Sequence, residues 1–278
     1  MSAKDANLGA RFASLAMYRD PPVIAEATRG LWAHLREHLC AAGLADVPEA
    51  LDEAAAHDAG WLDPRLLLTQ TCGYPLATRL RGRVRVVATP VYDHPGCQGP
   101  LNGSFVIVRS DATAATVADL RGGVAAINDQ TSNSGMNLMR HFIAPLAAGE
   151  RFFARVVESG SHRASLTMVA QGQADVAAID CVTFGNLARF AAESTRNVRI
   201  LAETAKTPGL PFITRASASD GEVALLRGAL DHFAHDPAAK ALRDTLGLSG
   251  FAVLPERAYD AALALEQEAI ALGYPSLV

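Results

Sequence analysis

Short apolar runs alternate with stretches whose apolar residues recur every three to four positions, and this alternation predicts strands and helices in turn along most of the chain. Residues 12–17 read as a first strand, closed by Tyr18-Arg19-Asp20-Pro21-Pro22. Residues 23–41 follow as a helix, with Ile24, Ala27, Leu31 and Leu35 on one face. After a polar, Ala-rich region, residues 66–68 form a short apolar strand that runs into Thr69-Gln70-Thr71-Cys72-Gly73-Tyr74-Pro75. Residues 83–89 and 104–108 read as further strands, separated by a turn-rich loop.

From about Asp111 the pattern restarts, with a helix at 115–120, a strand at 124–127, a helix at 136–146 and a strand at 153–157. The stretch 158–184 then places polar clusters at both ends of one helix-strand unit. Ser161, His162 and Ser165 open the helix, Gly172 marks its end, and the unbroken apolar run 176–179 suits a strand buried on both faces that stops at Asp180. Strands lie again at 198–202 and 212–214, and the remainder is helical, its last helix having Pro255 near the start and Gly273 just beyond the end. This order predicts an α/β protein with helices on both faces of mixed, mostly parallel sheets. Chain crossings at 109–117 and 207–211 divide it into residues 1–108 and 207–278 as one lobe and 109–206 as a second.

Half of the 278 residues are hydrophobic, enough for a large core. The formal net charge of -4 and the absence of a long Lys/Arg cluster argue against nucleic acid or an anionic membrane as the main partner. Cys40, Cys72, Cys97 and Cys181 are scattered without CxxC spacing, so free thiols are expected. Asp93-His94-Pro95-Gly96-Cys97 offers half of a metal site with no second half at usable spacing, and no metal or cofactor is expected. No stretch has the length of a membrane helix, and the first twenty residues carry no apolar segment of signal-peptide length, so no membrane insertion and no export signal are expected.

The residues that carry chemistry stand where strands end and helices begin. Asn128-Asp129-Gln130-Thr131-Ser132-Asn133-Ser134-Gly135 brings hydroxyls and backbone N–H groups to a helix start, where unpaired donors and the helix dipole favour an anion. Ser and Asn also serve there as ordinary caps and turn residues. His162 adds a ring N–H at the next helix start, with Ser161 and Ser165 as further donors. Asp180 lies at a strand's carboxyl end, where open α/β sheets hold ligands. A carboxylate there repels a fully ionised ligand unless the ligand keeps a proton or carries a cation, and it can equally cap the helix that follows. Tyr18, Gln70 and Tyr74 follow predicted strands and stand as pocket walls or as plain packing. Ser134, His162 and Asp180 supply the residue types of a hydrolytic triad, but no G-x-S-x-G elbow accompanies them.

SNSGMN at 132–137, SGSHRASLTMVAQGQADVAAIDCVTF at 159–184 and PGLPFIT at 208–214 together resemble the phosphate, phosphite and phosphonate substrate-binding proteins of ABC transporters. The resemblance covers most of the chain. It implies a type II periplasmic-binding architecture, two α/β lobes on a hinge with a small oxyanion in the cleft, an ABC permease as partner and a periplasmic location. It also implies that Ser132, Asn133, Ser134, His162 and Asp180 bind ligand, and it matches the Tyr74 loop to the first lobe. Two positions depart from the family pattern: Asn133 stands where a hydroxyl is usual, and Cys181 replaces a serine, giving a weaker donor.

The function expected is non-catalytic capture of a phosphate, phosphite or phosphonate. With no export signal expected, a cytoplasmic enzyme on the same fold, of the menaquinone-precursor or thiamine-pyrimidine type, is one alternative, and a cytoplasmic ligand sensor is another.

Overall fold

The computed structural model describes residues 9–54, 58 and 60–278. Residues 1–8, the beginning of the stretch read for an export signal, and 55–57 and 59 of the Ala-rich region lie outside the described residues. The chain opens with β1 (Phe12–Ser14), α1 (Pro22–Ala41), β2 (Leu66–Gln70), α2 (Gly73–Ala77) and β3 (Val84–Tyr92). It continues through β4 (Cys97–Gln98), β5 (Leu101–Asn102), β6 (Ser104–Arg109), β7 (Val124–Ile127), α3 (Leu138–Ala147), β8 (Arg155–Glu158) and α4 (His162–Ala170). Next come β9 (Val176–Asp180), α5 (Cys181–Phe190), α6 (Ala192–Thr195), β10 (Val198–Glu203), β11 (Thr207–Pro208) and β12 (Phe212–Arg215). α7 (Asp220–His235), α8 (Lys240–Leu246), β13 (Leu248–Ala252) and α9 (Ala261–Ala271) complete it.

Two compact units result. As far as they are described, one comprises Met1–Thr71, Arg79–Tyr92 and Leu210–Glu256, and the other Cys72–Thr78, Asp93–Gly209 and Arg257–Val278. The first unit is a sheet in the order β1-β2-β12-β3-β13. Every residue of β2 is buried, as expected of an apolar run covered on both faces. α1 turns Ile24, Ala27, Leu31 and Leu35 inward at the predicted spacing and packs on α7 and α8. Ser219 starts α7 by accepting the Glu222 N–H at 3.1 Å, a side-chain cap of the kind that stabilises a helix by about 1 kcal/mol.

The second unit holds a sheet in the order β10-β6-β9-β7-β8 and a small sheet β11-β5-β4. β7 runs parallel to β8 and β9, whereas β6 is antiparallel to both β9 and β10. Composition put the crossing after Val108, but Ser104 pairs with Asp180 and Ile107 with Ala177, so β6 belongs to the sheet of β9. The C-terminal helix likewise differs from its expected place with the first lobe. Ala269, Tyr274 and Leu277 bury themselves with Met139, Ile143 and Phe153, so this apolar face completes the second unit's core. Boundaries shift where local geometry demands: residues 115–120 yield only the tight turn Val117–Leu120, held by a capping box between Thr116 and Asp119.

Candidate functional site

In the second unit, β7 ends at Ile127 and the chain passes through a polar loop into a wide π-helical turn, Asn133–Asn137, that leads α3. Ser132 starts this turn. Its Oγ accepts the Gly135 N–H at 3.0 Å, and its carbonyl accepts the Asn137 N–H at 3.0 Å. The capping role open to this serine is therefore realised, and as a hydroxyl it still carries a proton to donate. Gly135 is required by close approach: a Cβ there would lie 1.8 Å from Asn128 Oδ1 and 3.2 Å from His162 Cε1. Asn128 Oδ1 is buried beside it and makes no hydrogen bond among the described residues.

Ser134 Oγ and His162 Nε2 are 2.8 Å apart, which joins the two helix starts picked out from the sequence. The Ser104 hydroxyl donates to the Ser134 carbonyl at 2.9 Å and holds the turn against β6. Across the imidazole, the Asp180 N–H approaches Nδ1 at 3.5 Å. Burial holds the His162 ring below its ordinary pKa, with the Asp180 charge and the Ala178 carbonyl pulling the other way, so the ring is neutral near pH 7. Asp180 itself is only 2 % exposed. Its Oδ1 accepts the Val182 and Thr183 N–H groups at 3.0 and 2.9 Å and caps α5, while its charge acts on His162 and on the thiols of Cys72 and Cys181. Ser161 and Ser165 are spent locally: Ser161 Oγ accepts the Ala164 N–H at 3.1 Å, and Ser165 Oγ lies 2.7 Å from Ser159 Oγ.

Asn133 departs from its expected role. Its Nδ2 donates to Thr207 Oγ1 at 2.8 Å and its Oδ1 accepts from Asn137 Nδ2 at 3.0 Å, so the side chain belongs to a buried network instead of presenting an amide to a solute. The network continues from Asn137 Oδ1 to Arg140 at 2.6 Å, from Arg140 to Glu266 at 3.0 Å, and from Glu266 to the Tyr74 hydroxyl at 2.7 Å. Tyr74 thus corrects a second expectation. It belongs to the unit of the donor turn, because α2 packs on α9 and the phenol donates to a carboxylate of that helix. Burial and the Glu266 bond both raise the Tyr74 pKa.

Cys72 was not among the ligand-binding residues expected, yet its sulfur sits at the head of the turn. Sγ accepts the Asn133 N–H at 3.3 Å and lies against the N–H groups of Tyr74 and Ser134 as well. Burial raises this thiol despite those donors. Asn102, in the small sheet, carries a further buried amide. It is buried beside Gly209, where a Cβ would lie 2.8 Å from its Nδ2, and neither end of its amide makes a hydrogen bond among the described residues. A lone Asn in a two-residue strand carries no local signal of this.

In the first unit, Tyr18 is buried in an edge-to-face contact with Tyr92, ring centroids 5.7 Å apart. Gln70 is buried too, its side-chain Nε2 donating to the Leu210 carbonyl at 3.4 Å and its backbone carbonyl accepting from Trp61 Nε1 at 2.9 Å.

Cys97 and Cys181 face each other with sulfurs 3.4 Å apart. The shared hydrogen bond lowers Cys97, whereas that bond, burial and the Asp180 charge raise Cys181. A thiol-alkylating reagent at pH 8 is expected to modify exposed Cys40 first, Cys97 next, and Cys72 and Cys181 only on unfolding. Peptide mass mapping over time reads the order, and early labelling of Cys181 would contradict this geometry.

A family described as "ABC transporter, phosphonate, periplasmic substrate-binding protein" matches residues 18–259. The chain belongs to this family. No curated protein matches it by sequence. In structure, this binding protein is similar to a binding-protein component of an ABC phosphonate transporter from Pseudomonas aeruginosa, with a TM-score of 0.74 and 16% identity over 95% of this chain and 87% of that one. PhnD1 from Prochlorococcus marinus, solved with methylphosphonate, also gives a TM-score of 0.74, at 14% identity over 94% of this chain and 98% of that one. XAC2383 from Xanthomonas citri, solved with ATP, gives 0.69 at 18% identity over 95% and 98% of the two chains. The fold is the two-lobe α/β architecture of periplasmic binding proteins. The family consists of solute-binding components of ABC uptake systems, not catalysts, and implies a small ligand and a permease partner. Its location is periplasmic, and among the described residues no helix is long and apolar enough to cross a membrane.

Proposed function

We propose that the solute is a small phosphonate, phosphite or phosphate held through its phosphoryl oxygens at the Ser132–Gly135 turn, and that it is delivered to an ABC permease at the periplasmic side. The observation that carries this reading is the 2.8 Å pair of Ser134 Oγ and His162 Nε2, which brings a hydroxyl and an imidazole together at a helix-leading turn. A neutral imidazole and a hydroxyl share two mobile protons. With the ring proton on Nε2, the Ser134 O–H is released to donate to an ionised oxygen. With it on Nδ1, Ser134 Oγ accepts from an oxygen that keeps its proton.

Asp180 then sets the charge that the site tolerates. A buried carboxylate whose field reaches His162 and Cys72 disfavours a fully ionised ligand and favours a phosphoryl group that retains a proton or an attached ammonium. Asn102, with its unpaired amide, is a further donor and acceptor for the solute's side group.

Calorimetric titration with phosphate, phosphite, methylphosphonate, aminoethylphosphonate and sulfate tests the reading. Binding of at least one phosphorus oxyanion and none of sulfate is expected, and a flat response to all four phosphorus ligands overturns it. Asp180→Asn should narrow the gap between phosphonate and sulfonate, whereas unchanged selectivity would reduce Asp180 to a cap. Tyr18→Ala and Gln70→Ala measure the contribution of those two residues in the same titration.

A further inference from the structure

The first unit carries a cluster that solute capture does not use. His34 and His38 lie one turn apart on α1, and His232 and Asp236 are likewise one turn apart at the end of α7. His34 Nε2 lies 3.5 Å from Asp236 Oδ2, and His232 Nε2 lies 3.8 Å from the same oxygen. One nitrogen from each ring and one carboxylate oxygen all fall within 4.8 Å of one another.

These separations suit one ion. Zinc bound at about 2.0–2.1 Å to nitrogen or oxygen in a tetrahedron sets its ligand atoms about 3.4 Å apart, so small side-chain shifts close the triangle. The rings of His34 and His232 are nearly parallel, with centroids 5.3 Å apart and 20° between planes. His38 also stacks on His232, with ring centroids 4.6 Å apart. Asp236 Oδ1 accepts the Ala238 N–H at 2.8 Å, which orients the carboxylate as the outer partners of metal ligands do and leaves Oδ2 facing the rings.

A second observation is independent of the spacing. His34 Nε2 is buried, yet it makes no hydrogen bond among the described residues, although the Asp236 carboxylate lies in front of it. Neutral imidazoles beside a carboxylate are the form that ligates metal.

We propose that His34, His232 and Asp236 form a binding site for a divalent transition-metal ion of the zinc class, held between α1 and the end of α7. Two histidines and one carboxylate leave further positions to water and select zinc, nickel or cobalt over magnesium and calcium, which prefer all-oxygen shells. The ion clips together two helices, Pro22–Ala41 and Asp220–His235, that lie far apart in the sequence.

The test uses the full chain, freed of any purification tag and stripped with chelator. Calorimetry with zinc chloride should show about one equivalent bound. Cobalt(II) should give a visible absorption band that zinc displaces, and zinc should raise the melting temperature. Asp236→Asn and His232→Ala should each weaken zinc at least about tenfold and abolish both the band and the melting shift. His232 is 48 % exposed, so its replacement leaves the fold intact. No heat and no cobalt band at millimolar metal, or binding unmoved by both variants, would overturn the proposal. Magnesium giving the same response as zinc would also count against it.

Discussion

Glu222→Ala is expected to lower the stability of the protein by about 3–5 kcal/mol, the usual cost of stranding a buried charge by removing its partner. Glu222 lies in the first turn of α7 with its side chain only 10 % exposed. Arg215 grips it with two parallel bonds at 2.6 and 2.7 Å, and Arg11 donates to the same carboxylate. The triad ties β12 and the segment leading into β1 to one helix. Without the carboxylate, two guanidinium groups face each other in a half-buried space. Urea unfolding should show a lower midpoint at an unchanged slope, and a loss under about 1 kcal/mol would place the triad among exposed ion pairs.

The same triad gives a pH dependence. Burial alone would raise the Glu222 pKa, but Arg215 and Arg11 outweigh it and hold the carboxyl below its ordinary value of 4.5. A carboxylate depressed in the folded state contributes stability that is fully present above its unfolded pKa and is lost as pH falls through the lower folded value. The native protein should therefore lose stability more steeply below about pH 4.5 than Glu222→Gln does.

Ser134→Ala is the second large effect, expected to weaken binding of the phosphorus oxyanion about 10- to 100-fold, as for loss of one hydrogen bond to a charged group. The neighbouring His162→Ala should cost a similar amount. Because the two side chains share one hydrogen bond, the double variant should lose much less than the sum of the two. Calorimetry on the four proteins closes this cycle, and additive losses would mean that the two residues act separately. Thermal melting of each variant distinguishes loss of the site from loss of the fold.

The helix starts and the strand end that make up the candidate site are legible because their signals are local. Ser132 before a helix, Ser161 and His162 at the next, and Asp180 at the end of an apolar strand are positional statements that need only a few residues of context. The cleanest case is Asp180. Its place at a strand end and its use as a cap both follow from the four apolar residues 176–179 before it and a helical pattern after it.

Asn133 and Tyr74 were misplaced for the opposite reason. A turn residue has its backbone conformation set locally, but the direction of its side chain is set by whatever packs behind it. For Asn133 that is Thr207 and Asn137, for Tyr74 it is Glu266, and the distant partners of both come from segments far along the chain.

The sequence alone determined the order of strands and helices, the helix starts that carry donors, and membership of a binding-protein family, since each rests on periodicity, capping or contiguous motifs. Tertiary structure decided the rest. It paired β6 with β9, moved the C-terminal helix onto the second unit, joined Ser134 to His162, and put Cys72 at the head of the donor turn. These are long-range contacts chosen by burial of apolar faces and satisfaction of buried polar groups, and neither quantity exists until the chain has closed on itself.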